Sequence, residues 1–208
     1  SYNNMGYIFR RRRDTRHALE VYSNVEKLLD SEDHPELCEA RIRLAAAYLE
    51  MGELDRAREH ALRAFEETEV GDSDISHARA MAVLGRFYAR AKENELAMQY
   101  YSKALEILSD QTDPHSAVEV SMLLGQVLSD AGRKEEASEQ YIDALVLAEA
   151  NDFRMLEGET LARLGEVESD RSQKMDYLQR SLSVFRELGA VDRMREVQNS
   201  VHRAVMGN

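Results

Sequence analysis

A short sequence phrase recurs about every forty residues along this chain. Its small residue stands at Gly6, Ala45, Gly85, Gly125 and Gly165, with spacings of 39, 40, 40 and 40 residues. A fixed period in this range is typical of proteins built from stacked repeats, in which each unit buries its apolar face against the next. The period therefore predicts a repeat architecture, and proteins with such an architecture generally bind another molecule.

Further positions recur with the same period. A lone alanine follows each of the first four phrases, at Ala18, Ala57, Ala97 and Ala137. Four residues later the chain has Tyr22, Ala61, Tyr101 and Tyr141, and three residues after those it has Val25, Ala64, Ala104 and Ala144. Apolar residues within each copy lie three and four residues apart, which indicates helices and not strands.

Glycine and proline mark where these helices end and begin. Gly52 and Gly132 follow helical stretches, at positions where a left-handed residue can end a helix. Pro35 and Pro114 are the only two prolines, and both stand near expected helix starts. Each copy is therefore predicted to be a pair of helices joined by a tight turn.

The recurring small residues have a packing role. Gly or Ala on the first helix of a pair, and Ala on the second, let the two backbones approach closely. We expect the Tyr or Phe beside them to fill the gap toward the neighbouring repeat. A large side chain at Ala97 or Ala137 is expected to overpack the helix crossing, at a cost of about 1–3 kcal/mol.

These coincident positions resemble the tetratricopeptide repeat in its long form of roughly forty residues. The resemblance covers essentially the whole chain and implies an all-α fold, an α-solenoid of about five helix-turn-helix repeats with a C-terminal capping helix. The repeats are expected at residues 1–30, 35–70, 75–110, 115–150 and 154–188, and the capping helix at 190–206. Together they are predicted to form a single superhelical domain over residues 1–208.

The two ends of the chain depart from the pattern. In the fifth copy Glu168 replaces the expected aromatic residue, and Lys174 stands where the lone alanine belongs. A terminal repeat is commonly atypical, because one of its faces meets water. The chain opens at Ser1, inside a segment expected to be helical and without an initiator methionine, so we expect it to be a fragment of a longer protein.

The charge balance argues against some classes of partner. The formal net charge is −12, and residues 101–150 hold 3 Lys or Arg against 10 Asp or Glu. General binding to nucleic acid or to an anionic membrane is therefore not expected. The run Arg10 to Arg13 is either a solvated helix end or a local phosphate contact.

No apolar run approaches the length of a membrane span, and the single cysteine, Cys38, favours a reducing, cytoplasmic location.

No catalytic constellation is visible. The six histidines, at positions 17, 34, 60, 77, 115 and 202, lack the paired spacing of a zinc site. The glycines recur singly and form no phosphate-binding loop, and the many carboxylates are expected on the solvent faces of helices. We therefore predict that the chain is not an enzyme and that it uses no cofactor or metal.

The resemblance also implies which side chains face a ligand, because in this family the first helix of each pair lines a concave groove. It places ten residues there: Tyr7, Arg10, Arg11, Arg79, Arg86, Arg90, Met122, Gln126, Asp130 and Glu166. The arginines would attract acidic groups of an extended peptide, and Asp130 and Glu166 would attract basic ones. The groove lacks the Lys and Asn set by which some family members clamp a chaperone C-terminus, so chaperone docking is not expected.

The leading interpretation is a non-catalytic protein–protein interaction module that binds a peptide or protein segment in this groove. The alternative is a ligand- or peptide-sensing regulatory domain of a larger signalling or transcription-regulating protein, which the family also contains. A third interpretation is self-association through the N-terminal repeat, where Met5, Ile8 and Phe9 are apolar.

Overall fold

In the computed structural model of the protein, the described residues are 14–28, 35–69, 74–108 and 113–206. Every regular element in these ranges is an α-helix. The ten helices are α1 (Thr15–Leu28), α2 (Pro35–Met51), α3 (Leu54–Glu69), α4 (Asp74–Arg90), α5 (Asn94–Leu108), α6 (Pro114–Asp130), α7 (Lys134–Ala150), α8 (Arg154–Val167), α9 (Arg171–Glu187) and α10 (Val191–Met206). The all-α prediction is confirmed. The first helix of the first predicted repeat falls in residues 1–13, outside the described residues.

The chain divides into two compact units, residues 1–110 and 111–208. In the first unit each of α1 to α5 packs on the next, and α2 also contacts α4. In the second unit α6 to α10 pack in the same way, and α6 also contacts α8. Both units are therefore stacks of helix pairs in which the first helices of consecutive pairs are neighbours, and α10 closes the second unit as the predicted cap. That residues 1–208 form a single domain stays a prediction.

The turns inside three of the pairs, α2–α3, α4–α5 and α6–α7, each contain one residue with a left-handed backbone. Gly52 and Gly132, which have φ angles of 78° and 80°, occupy this position in two pairs, and Lys92 occupies it in a third with φ 66°. The start of α6 has the expected proline, and the Asp113 carboxylate caps it by accepting from the Ser116 amide at 3.1 Å. The predicted helix ends and starts are thus present with the expected chemistry.

The packing inside the pairs agrees with the role of the small residues and shows what the tyrosine contacts. Ala97 and Ala137 are fully buried, as are the equivalent Ala18 and Ala57. The Tyr141 ring lies across Gly125 of its own pair, so closely that a Cβ built on Gly125 would be 2.6 Å from Tyr141 Cε1. Tyr101 lies on Gly85 in the same way. The glycine is required because its missing side chain is the space that the ring occupies. That the ring also fills a gap toward the neighbouring repeat stays a prediction.

The fifth pair repeats this arrangement with different side chains. Leu178 packs on Gly165, where a Cβ would lie 2.7 Å from Leu178 Cδ2. Ser181 is fully buried, and its hydroxyl donates to the Gly158 carbonyl at 2.7 Å. Leu178 also belongs to the apolar cluster that joins α9 to Val197 of α10. The atypical pair is therefore covered on its outer side by the capping helix.

Candidate functional site

Three predicted site residues lie on α4, in the first unit. Arg79, Arg86 and Arg90 follow one another at seven- and four-residue spacing, which keeps them on one side of the helix. Arg79 is engaged in an ion pair with α2, since its Nη1 lies 3.6 Å from Glu39 Oε2. Glu39 is shared, because Arg43 Nη2 lies 2.6 Å from Glu39 Oε1. The neighbouring helix α2 therefore offsets part of the positive charge at this end of α4.

The other two arginines differ in their surroundings. Arg86 is half-buried near the phenol of Tyr101. Burial raises the pKa of that phenol, and the positive charge of Arg86 lowers it by a smaller amount. Arg90 is exposed at the C-terminal end of α4, where a cation is favoured by the helix dipole. The cationic side of α4 thus runs from a paired arginine to an exposed one.

Four predicted site residues lie in the second unit. Met122, Gln126 and Asp130 are four residues apart on α6, and the Gln126 amide donates to Asp130 Oδ1 at 2.9 Å. Met122 is half-buried and packs against the apolar cluster around Val118, so it is part of the helix packing as well. Glu166 is exposed on α8 and accepts from Arg163 at 3.1 Å.

The remaining predicted site residues, Tyr7, Arg10 and Arg11, lie outside the described residues, as do Met5, Ile8 and Phe9. Within the described ranges, the structure brings Arg79, Arg86 and Arg90 together on α4, and Met122, Gln126 and Asp130 together on α6. Glu166 stands on α8, which contacts α6.

A group of half-buried charges was missed by the sequence analysis. Arg41 of α2 donates from Nε to Glu26 Oε1 of α1 at 3.1 Å, and it forms a second ion pair with Glu67 of α3. His60 of α3 lies with Nδ1 3.5 Å from the same Glu26 oxygen. The expectation that carboxylates lie on solvent faces is wrong for Glu26 and Glu67, because each is held beside Arg41 at the meeting point of three helices.

This environment changes the acidity of Glu26. Its pKa is lowered to about 2, first by the interaction with His60 and then by the bond and charge of Arg41, against the opposing effect of burial. A carboxyl with a lowered pKa in the folded state stabilises the fold above its unfolded pKa, which is near 4.5. That contribution is lost as the pH falls from about 4.5 toward 2.

Glu26→Gln should therefore lower the free energy of unfolding of the first unit by about 1–2 kcal/mol at neutral pH, since part of the pairing is screened by solvent. The difference from the wild type should disappear as the pH approaches 2. Urea unfolding followed by circular dichroism at several pH values measures this. Glu106→Gln, on α5, is the control. An effect of Glu26→Gln that stays constant from pH 7 to pH 2 would contradict the assigned role.

Two histidines of the first unit have structural partners. His60 stacks on Tyr48 with ring centroids 5.4 Å apart, and His77 stacks on Phe65 at 4.9 Å. His77 Nδ1 is also 3.0 Å from the Thr68 hydroxyl. Within the described residues, no three His, Cys, Asp or Glu side chains are grouped so that they could hold a metal ion. His34 lies outside these residues.

Cys38 is buried in the first unit, with Sγ 3.8 Å from the Ala64 carbonyl oxygen. Burial raises the pKa of its thiol to about 11. The thiol therefore stays protonated at neutral pH, which agrees with a packing role. Among the described helices, none combines the length and the apolar character needed to cross a membrane.

Similar folds occur in several solved structures. A signal transduction ATPase with numerous domains from Pyrococcus horikoshii, which carries a tetratricopeptide repeat sensor, matches 98% of this chain with a TM-score of 0.81 and 19% identity. This chain spans 32% of that protein, or about a third of its length. At this identity the likeness shows the fold alone.

Two further structures match nearly as much of the chain. PlcR from Bacillus thuringiensis, in complex with the peptide PapR7 and DNA, matches 94% of this chain and 72% of its own with a TM-score of 0.80 and 13% identity. The apo form of RapI matches 94% of this chain and 73% of its own, with a TM-score of 0.76 and 19% identity. No curated protein sequence shows significant similarity to the chain.

The sequence itself identifies the family. A tetratricopeptide repeat family model matches residues 42–113 and 122–182, which together are more than half of the chain. The matched segments contain both glycine–tyrosine contacts described above. The chain belongs to the tetratricopeptide repeat family.

Proposed function

We propose that this chain is a non-catalytic interaction module that binds an extended peptide or protein segment along the first helices of its pairs. In the first unit this surface is formed by α2 and α4, and in the second unit by α6 and α8. The observation that carries the proposal is the row of Arg79, Arg86 and Arg90 on one side of α4, beside the neighbouring first helix α2. Membership of the tetratricopeptide repeat family supports an interaction role.

Charge suggests the chemistry of the bound segment. Acidic side chains would be attracted to Arg86 and Arg90, and basic side chains to Asp130 and Glu166. Met122 would give an apolar contact that can adapt its shape, because its side chain is flexible. Tyr7, Arg10 and Arg11 remain part of the proposed surface. The buried thiol of Cys38 supports a reducing, cytoplasmic location.

Reversing the charge of α4 tests this proposal. The double variant Arg86→Glu with Arg90→Glu should weaken binding of an acidic segment by about tenfold to a hundredfold, with little change in melting temperature. Wild type and variant are used side by side to capture partners from native lysate, and the captured proteins are identified by mass spectrometry. The affinity of the captured segment is then measured with a synthetic peptide.

The matched control is Arg58→Glu with Arg63→Glu, which makes the same change of net charge at two exposed positions of α3. The control should bind like the wild type. If the α4 variant captures the same partners with the same affinity as the control, the binding surface lies elsewhere and the proposal fails.

A second candidate function is a ligand- or peptide-sensing domain within a larger regulatory protein. Two structural neighbours favour it. The Pyrococcus protein carries its tetratricopeptide repeats as a sensor, and PlcR was solved with a peptide and DNA. A helix-turn-helix or nucleotide-binding domain in the full-length gene product would favour this function. A full-length product without an effector domain would favour the interaction module.

A further inference from the structure

A cavity of about 300 Å³ lies within the second unit, between α8, α9 and α10. Lys174 and Arg203 bring two positive charges to its wall, and Leu178 and Ala204 contribute apolar surface. Ser200 adds a hydroxyl, and Glu166 adds a carboxylate. The cavity thus combines an apolar side with a cationic one, at the lower end of the size range of small-molecule sites.

The cavity exists where the chain departs from its own repeat. The four preceding pairs have a fully buried alanine early in the second helix, as Ala97 and Ala137 illustrate. The fifth pair has Lys174 at this position, and its side chain is only half-buried. Packing does not need a cation here, since alanine fills the equivalent position in every other pair.

No carboxylate of the described residues is paired with either of these two cations. Most arginines of the second unit are paired, for example Arg163 with Glu166 at 3.1 Å and Arg193 with Glu159 at 2.8 Å. Within the described residues, neither Lys174 nor Arg203 has a carboxylate partner, and Arg203 donates only to the Ser200 hydroxyl at 2.9 Å. Glu166, which shares the cavity, is already paired with Arg163. Two unneutralised cations in one cavity are unexpected in a chain with a net charge of −12.

We infer that this cavity binds a carboxylate that carries a short aliphatic side chain. The carboxylate lies between the Lys174 ammonium and the Arg203 guanidinium, and the aliphatic part lies over Leu178 and Ala204. Charge-assisted hydrogen bonds to a carboxylate are the stronger class, and the apolar contact distinguishes this ligand from a bare anion such as phosphate. The ligand is either a free organic acid or the C-terminus of a peptide.

The test is a titration of the wild-type chain with N-acetyl-L-leucine, compared with uncharged N-acetyl-L-leucinamide. The acid should bind with a Kd of the order of 1 mM, as its small size suggests, and the amide at least about tenfold more weakly. The methyl signals of Leu178 and Ala204, followed by nuclear magnetic resonance, should shift with the acid. Equal binding of acid and amide, or shifts confined to other parts of the chain, would overturn the inference.

Variants give an independent check. Lys174→Ala restores the alanine of the other pairs and should fold, and Lys174→Ala with Arg203→Gln should bind the acid at least about tenfold more weakly than the wild type. Arg186→Gln, at an exposed position of α9 outside the cavity, is the control and should bind like the wild type. A double variant with unchanged melting temperature and unchanged affinity would refute the site.

A titration with a peptide distinguishes the two sources of the carboxylate. An acetylated tetrapeptide that ends in a free leucine should bind more tightly than N-acetyl-L-leucine if the natural ligand is a peptide terminus, and no more tightly if it is a small acid. Both results require the free carboxylate, which the amidated tetrapeptide lacks. Lys174 and Arg203 lie on α9 and α10, so a failure of the carboxylate to bind in this cavity can be told apart from a failure of the binding proposed for α4.

Discussion

Replacing Arg41 by methionine should lower the free energy of unfolding of the first unit by about 3 kcal/mol. The Arg41 side chain is 13% exposed, and those of Glu26 and Glu67 are 23% and 22% exposed. Removing the cation leaves two carboxylates from α1 and α3 facing each other with little water. Breaking a well-buried pair in this way costs about 3–5 kcal/mol, and the partial exposure here places the expected loss at the lower end.

Urea unfolding followed by circular dichroism measures the loss, since the chain has no tryptophan to serve as a fluorescence probe. Hydrogen exchange of the α2 amides reports the first unit separately. Arg63→Met is the control, because Arg63 is exposed and its one carboxylate partner among the described residues is Glu59, one turn away on α3. The control should cost less than about 1 kcal/mol.

Neutralising the carboxylates as well should restore much of the stability. Arg41→Met combined with Glu26→Gln and Glu67→Gln removes every unpaired charge, and replacing a complete buried ion group is often close to neutral. If Arg41→Met costs no more than Arg63→Met, or if the triple variant is as unstable as the single one, the group does not hold the three helices together.

The period of the sequence was enough to predict the helix pairs, because the same spacing recurs in successive copies. Gly125 and Tyr141 keep the spacing of Gly85 and Tyr101, so their common role could be inferred from recurrence alone. That the tyrosine ring lies on the glycine of its own pair could not be inferred, because this contact depends on how the two helices cross.

The group around Arg41 occurs once, so no recurrence could point to it. A signal was nevertheless present in the alignment of the copies. The residues forty, eighty and 120 positions after Arg41 are Met81, Ser121 and Leu161, all of which are buried. A charge at a position that is buried and uncharged in the other copies indicates a local change in the helix packing, and Lys174 is a second case. Such departures from the repeat mark the group around Arg41 and the cavity at Lys174.

The proposed binding surface was only partly predictable. The spacing of Arg79, Arg86 and Arg90 places them on one side of a single helix without any knowledge of the tertiary structure. The ion pairs of these arginines with other helices could not be predicted in this way. The ion pair between Arg79 and Glu39 joins two first helices, and its formation depends on how α2 and α4 are stacked. Sequence spacing within a helix contains no information on that stacking.

Tyr141→Ala should have the largest effect of any single change considered, a loss of about 3–5 kcal/mol in the free energy of unfolding of the second unit. The side chain is almost fully buried, and its ring is the surface on which α6 and α7 meet at Gly125. Gly125→Ala should also destabilise, by about 2 kcal/mol. The gain in helix propensity, which is about 1 kcal/mol, is smaller than the cost of placing a Cβ 2.6 Å from a buried ring.

The double variant Gly125→Ala with Tyr141→Ala tests whether the two residues act as a pair. The second helix pair of this chain already has that combination, with Ala45 and Ala61 both fully buried in one apolar cluster. The double variant should therefore be more stable than the sum of the single losses predicts, by at least about 1 kcal/mol. Ile142→Ala, at an exposed position next to Tyr141, is the control and should cost much less. Strictly additive losses would mean that the ring and the glycine stabilise the unit independently, and the size match between the two helices would then have no role in the fold.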